Sequence, residues 1–130
     1  MPHKILIVDD DPDFLQIVEF QLKKRGYQIV TASNGEEGLE KAYSENPELI
    51  MLDIKMPKMD GYTLVRRLKK DDRTKDTPLI VLTSYEPMKD MFQMEGVYDY
   101  FVKSAEMEKL FASIAKRFSA SGTDAQNSKK

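Results

Sequence analysis

The sequence contains no cysteine, which excludes a disulfide scaffold, a thiolate zinc site and a cysteine nucleophile. Histidine is nearly as scarce. His3 is the single one, so a histidine-based triad or a His-rich metal site has nothing to be built from. An excess of positive charge is missing too: 20 lysines and arginines stand against 22 acids, for a formal charge of −2. No whole-chain field therefore recruits nucleic acid. No apolar run approaches the roughly 20 residues that cross a bilayer. Residues 1–4 lead into only four apolar residues before a block of acids, which does not read as a signal peptide. What is present, 130 residues with 41% hydrophobic and 32% charged, is an ordinary globular composition. It predicts one soluble, cytoplasmic domain, long enough to bury roughly two-thirds of its unfolded surface.

Two periodicities alternate along the chain. Ile5-Leu6-Ile7-Val8, Leu49-Ile50-Met51-Leu52 and Leu79-Ile80-Val81-Leu82 are short continuous apolar runs, the pattern of strands buried on both faces. Residues 28–32 and 99–102 read as two further strands. Between them lie helical spacings. Phe14, Leu15, Val18 and Leu22 follow Asp11-Pro12, a capping residue and a proline suited to the first helical position. Leu39, Ala42 and Tyr43 follow Asn34-Gly35 and end at Asn46-Pro47. Leu64, Val65 and Leu68 follow a turn-rich loop over residues 54–61, and residues 69–76 read as a charged, solvated connector. A Met-rich piece after Pro87 and a last helix with Met107, Leu110, Phe111, Ile114 and Phe118 complete five helices. Strands alternating with helices imply βαβ units, a parallel sheet with right-handed crossovers, and helices on both faces. Residues 1–118 form this domain; residues 119–130, without apolar periodicity, read as a flexible tail or linker.

In an open parallel sheet, ligands bind beyond the carboxyl ends of the strands. Asp9-Asp10 follow the first apolar run, Asp53 the second, Thr83-Ser84 the third, and Lys103 the last strand. Three carboxylates brought to one edge repel and must take up protons or bind a cation. An all-oxygen set favours a hard ion such as Mg²⁺, which completes its shell with water and phosphate oxygens. A carboxylate beside such an ion and a lysine can attack phosphorus and become an aspartyl phosphate. The ammonium and the hydroxyl would then stabilise charge on the transferred group.

These residues resemble the receiver domain of bacterial two-component response regulators. The likeness runs over about residues 4–118. It rests on Ile5-Leu6-Ile7-Val8-Asp9-Asp10, on Asp53-Ile54-Lys55-Met56-Pro57-Lys58-Met59-Asp60-Gly61, on Leu82-Thr83-Ser84 and on Tyr100-Phe101-Val102-Lys103. The resemblance implies a doubly wound, flavodoxin-like sheet of five parallel strands in order 2-1-3-4-5. It implies Asp53 as phospho-acceptor, Asp9 and Asp10 as the acids holding Mg²⁺, Asp10 more directly, and the Lys55 backbone carbonyl as a further ligand. Thr83 is similar to the hydroxyl that moves onto the phosphoryl group, Lys103 to the lysine that pairs with it, and Tyr100 to a switch aromatic.

Function follows in kind. The resemblance implies a module that takes a phosphoryl group from a sensor histidine kinase or phosphotransfer protein. The module then changes a protein-binding surface, with self-catalysed phosphorylation and dephosphorylation rather than turnover as a conventional enzyme. No DNA-binding module fits after residue 118, so output is expected through a protein partner or a missing C-terminal domain, without direct contact to nucleic acid or membrane. The alternative is a degenerate receiver, a constitutive protein-binding module. A magnesium-dependent phosphohydrolase is a third reading, but that class wants an acid two residues after the nucleophile, where Lys55 stands. A calcium loop starting at Asp9, Asp11 and Asp13 fails at Phe14 and Phe20, where a glycine and a bidentate acid belong.

The chain departs from the family pattern twice. Ser104 follows Lys103 where the family has proline. A trans peptide is expected there, because a cis bond before serine costs roughly 2.5–4 kcal/mol; Ser104 is also read as the cap of the last helix. Thr83 and Lys103 stand 20 positions apart, about two fewer than the family pattern implies. A shortened or displaced helix is therefore expected within residues 84–95, starting near Pro87.

Overall fold

In the computed structural model, the structure describes residues 2–54, 59–83, 97–103 and 107–119. Five strands run β1 (Lys4–Val8), β2 (Gln28–Ala32), β3 (Leu49–Asp53), β4 (Leu79–Thr83) and β5 (Asp99–Val102). They form one sheet in the order β2-β1-β3-β4-β5, every neighbouring pair parallel. Among the described residues four helices accompany them: α1 (Pro12–Lys24), α2 (Gly35–Glu45), α3 (Gly61–Lys70) and α4 (Met107–Ser119). The expected flavodoxin-like, doubly wound sheet is what forms. The helix expected within residues 84–95, the Lys103–Ser104 peptide bond, the cap role of Ser104 and the tail beyond residue 119 all lie outside the described residues.

Alternation along each strand splits the core into two layers, because successive side chains of a strand point to opposite faces. Ile5, Ile7, Leu49, Met51, Ile80 and Leu82 face α1 and α4, meeting Val18, Leu22, Leu110 and Ile114. Leu6, Val8, Ile50, Leu52, Leu79 and Val81 face α2 and α3, meeting Ala42, Leu64, Val65 and Leu68. The central strands need apolar residues at every position for that reason, and β3 is buried throughout.

Local chemistry starts α1, α2 and α3 each at a defined residue. The Asp11 carboxylate accepts from the Asp13 and Phe14 amides, with Pro12 in the first turn. Asn34 accepts from the Glu37 amide, while Glu37 Oε1 in turn accepts from the Ser33 amide and hydroxyl. Asp60 caps α3 through the Thr63 amide. Asn46 closes α2 in the left-handed conformation, at φ 53°. The charged stretch after α3 is less solvated than its composition predicts: Lys69 and Lys70 belong to the helix. Thr74 is buried as well, its hydroxyl donating to the Leu68 carbonyl at 2.6 Å. That bond satisfies one of the carbonyls every helix end leaves open.

Candidate phosphoryl-transfer site

The parallel sheet ends all its strands on one edge, and the short turns beyond β1, β3 and β5 put their first residues there. β3 pairs with β1 through Leu52 and Val8, so Asp53 and Asp9 leave adjacent strands at the same level. Asp53 itself pairs with Leu82 of β4, one residue before Thr83, and Thr83 pairs with Val102, one residue before Lys103. Register alone thus gathers Asp9, Asp53, Thr83 and Lys103 within three successive levels of the ladder. Tyr100 lies further back, opposite Val81. The side chains of Thr83 and Tyr100, and all of Lys55, lie outside the described part of the structure, so the hydroxyl, switch and carbonyl-ligand expectations are placed only by backbone position or not at all.

Two glycines let the surrounding loops close on this edge. A Cβ on Gly61 would stand 2.5 Å from the Asp53 carbonyl oxygen and 2.7 Å from Ile54 Cα, closer than any side chain tolerates. The Gly61 amide donates to the Ile54 carbonyl at 2.8 Å. The first residue of α3 is therefore seated directly on the backbone that carries Asp53. Gly35, at the start of α2, lies similarly against the Met59 backbone.

The carboxylates meet as expected. Asp9, Asp10 and Asp53 each offer an oxygen within 4.8 Å of the others. Asp9 is fully buried, Asp53 is 6% exposed, and Asp10 faces solvent. Asp9 Oδ1 accepts from the Asp11 amide at 2.9 Å. Lys103 Nζ lies 2.9 Å from Asp9 Oδ2 and 3.7 Å from Asp53 Oδ2. The closer contact is an ion pair without the alignment of a hydrogen bond, which leaves buried Asp9 Oδ2 with no aligned donor. One ammonium cannot balance three carboxylates.

Protonation equilibria register the imbalance. Burial above all, and then the Asp9 charge, push the Asp53 carboxyl up from 3.8 to about 6, against the pull of Lys103 and the Ile54 amide. Asp9 is raised as well, chiefly by burial, with Lys103 and the Asp11 amide opposing. For Lys103, burial disfavours the charged form, but Asp9, Asp53 and Asp11 together outweigh it and its pKa rises. The donor set suits a hard cation: oxygen ligands only, net negative, with an acceptor on Asp9 to spare.

Sequence reasoning missed one participant. Phe14 is recognisable in the sequence only as a core-facing residue of α1, yet its ring lies under the lysine, with Lys103 Nζ 4.3 Å from the centroid. The side of the ammonium away from the acids thus meets an aromatic face, which attracts a cation. No local signal marks Phe14 for this, since β5 and α1 are far apart in sequence. The resemblance sets Lys103 against a phosphoryl group; in the structure its nearest anionic oxygen is on Asp9.

Comparison with known proteins fits this edge into a family. Residues 5–115 match the response regulator receiver domain. The DNA-binding dual master transcriptional regulator RpaA of Synechocystis is 38% identical over 113 residues, which cover 85% of this chain and 47% of RpaA. Protein PilH of Pseudomonas aeruginosa is 34% identical over 113 residues, 85% of this chain and 93% of PilH. The chain spans about half the length of most of the curated relatives it matches. Among solved structures, the response regulator TrrA of Thermotoga maritima, in complex with Mg²⁺-BeF, superposes with a TM-score of 0.80 at 35% identity, covering 88% of this chain and 97% of TrrA. Receiver domains bind Mg²⁺ at an acidic site, and the Asp9, Asp10 and Asp53 cluster suits phosphorylation. With the matching sequence, the sheet order and the acidic edge all in agreement, the chain belongs to the response regulator receiver domain family of two-component systems.

Proposed function

We propose that Asp53 accepts a phosphoryl group from a sensor histidine kinase or a phosphotransfer protein, and that this controls a protein-binding surface. The observation that carries the proposal is the convergence of buried Asp53 with Asp9, Asp10 and Lys103 at one sheet edge. With its carboxyl near 6, Asp53 is mostly ionised at neutral pH and available as a nucleophile. One Asp53 oxygen forms a bond to phosphorus as the bond to the donor's imidazole nitrogen breaks, and the electron pair leaves with the imidazole. Asp9 and Asp10, with Asp53 and the Lys55 carbonyl, would hold Mg²⁺, which when bound neutralises charge on the phosphoryl oxygens. Lys103 Nζ, already between Asp9 and Asp53 and backed by Phe14, needs only a small displacement to pair with a phosphoryl oxygen. Thr83, at the adjacent strand end, supplies the hydroxyl, and Tyr100 is the switch aromatic. Water attack on the same phosphorus returns the free carboxylate.

The receiver unit proposed spans residues 1–118 and works in the cytoplasm; among the described residues no helix is long and apolar enough to cross a membrane. Output passes to a protein partner or to a further domain. Phos-tag electrophoresis after incubation with acetyl phosphate tests the reading. A shifted band is expected with Mg²⁺, lost without it and lost in Asp53→Asn. A shift that survives Asp53→Asn overturns the assignment, and no shift in the wild type favours the constitutive binding module instead.

A further inference from the structure

A second charged region lies at the end of α3 far from Asp53. α3 reads Gly61-Tyr62-Thr63-Leu64-Val65-Arg66-Arg67-Leu68-Lys69-Lys70 and contains no acid. In α1 and α2, by contrast, Lys23 pairs with Glu19 and Lys41 with Glu37. Arg66, Arg67 and Lys70 make no ion pair among the described residues. With Thr63 they fall at positions i, i+3, i+4 and i+7, so they form one stripe on the helix surface. Like charges at this spacing repel. A helix C-terminus welcomes cations in its last turn, which accounts for Arg67, Lys69 and Lys70 but not for Arg66.

The stripe borders a concavity. Thr63, Arg66, Arg67, Lys70, Tyr43 and Asp71 line a cavity of about 380 Å³ between α2 and α3, within the range of small-ligand sites. Its one acid is already engaged. Asp71 receives a two-pronged contact from Arg73, Nε to Oδ1 at 2.9 Å and Nη2 to Oδ2 at 2.8 Å, which holds its carboxyl well below the ordinary range. The Arg73 guanidinium lies 3.7 Å from the centroid of the Tyr43 ring, so the aromatic wall is braced from one side. Among the described residues the cavity therefore presents three cations without an ion pair, Arg66 meeting only the Tyr62 ring at 5.6 Å.

We infer that this cavity binds a small anion carrying two or more linked phosphates. Guanidinium forks match phosphate oxygens in pairs, and the concavity brings them and the Lys70 ammonium around one volume. A single phosphate would leave charge unmatched; an extended acidic chain would not need the recess. The diphosphate could be inorganic or the tail of a nucleotide. The site is separate from Asp53, and its occupancy does not depend on phosphorylation.

Isothermal titration calorimetry of the full chain in EDTA tests this, with pyrophosphate and ADP as separate titrants at low and moderate salt. Saturable binding of at least one titrant is expected. Affinity should fall at least tenfold in the triple variant Arg66→Gln, Arg67→Gln, Lys70→Gln, and should persist in Asp53→Asn. Tighter binding of ADP than of pyrophosphate would assign the diphosphate to a nucleotide; equal binding would assign it to the phosphates alone. The triple variant should still take phosphate from acetyl phosphate, which shows it is folded. The inference is overturned if neither titrant saturates, if the triple variant binds as well as wild type, or if a control variant with Lys109→Gln and Lys116→Gln on α4 loses as much. Binding of a poly-glutamate peptide without binding of either titrant would overturn it in favour of a protein surface.

Discussion

Replacing Asp53 by asparagine should stabilise the metal-free protein at neutral pH, even though it destroys the phospho-acceptor. The Asp53 carboxyl is raised from 3.8 to about 6 in the folded state. Below pH 4 the group is protonated whether the chain is folded or not, and it contributes nothing. Between pH 4 and 6 the unfolded chain has released the proton while the folded chain still holds it, so stability falls as pH rises. Above pH 6 the cost is complete. A rise of that size corresponds to about 3 kcal/mol, and the residue is too buried for solvent to screen much of it. Asparagine keeps the shape without the charge but sets its amide among groups arranged for a carboxylate, so a net gain of about 1–3 kcal/mol is expected. For a chain of this length that is a rise in melting temperature of roughly 4–10 °C. Thermal melts of wild type and Asp53→Asn in EDTA, from pH 4 to pH 8, measure it directly. The gap should open as pH rises through 4–6 and stay flat above. Millimolar Mg²⁺ should narrow it again by stabilising the wild type more, since ligand binding to the folded state adds stability by mass action. An Asp53→Asn variant no more stable than wild type at pH 8 in EDTA would refute the reasoning, as would a gap that does not change with pH.

Asp10→Ala should bind Mg²⁺ poorly yet melt no lower than wild type without metal; an undiminished Mg²⁺ titration would refute its part in the site. Phe14→Leu removes the ring under Lys103 while keeping an apolar side chain, so about 1 kcal/mol of stability should go and phosphorylation by acetyl phosphate should slow several-fold. Unchanged phosphorylation kinetics in that variant would reduce Phe14 to core filler. Gly61→Ala must displace either α3 or the Asp53 backbone, because its Cβ would stand 2.5 Å from the Asp53 carbonyl oxygen; a loss of about 2–3 kcal/mol in denaturant melts and impaired phosphorylation are both expected.

Most of the architecture was readable from residue pattern alone. Three continuous apolar runs read as strands buried on two faces, and Asp11-Pro12 and Asn34-Gly35 announce helix starts through chemistry confined to a few neighbouring residues. Because a parallel sheet ends its strands on one edge, the sequence also determined that Asp9, Asp53 and Lys103 would meet there, with Thr83 at the adjacent strand end by backbone position. Composition was a poorer guide where burial mattered: residues 69–76 look uniformly solvated, yet Thr74 is buried under the end of α3. Tertiary structure alone decided how the charges share the site. That Lys103 approaches Asp9 at 2.9 Å and Asp53 at 3.7 Å, and rests on Phe14, depends on α1 and β5 being packed against each other's ends. The elevated Asp53 carboxyl has the same origin, since burial is a property of everything packed around a group. Likewise, the basic stripe of α3 is visible in the sequence, but the recess it borders exists only once α2 lays Tyr43 beside it. Side chains within one turn or one strand find each other by backbone geometry, whereas contacts between elements are set by packing, which no local pattern encodes.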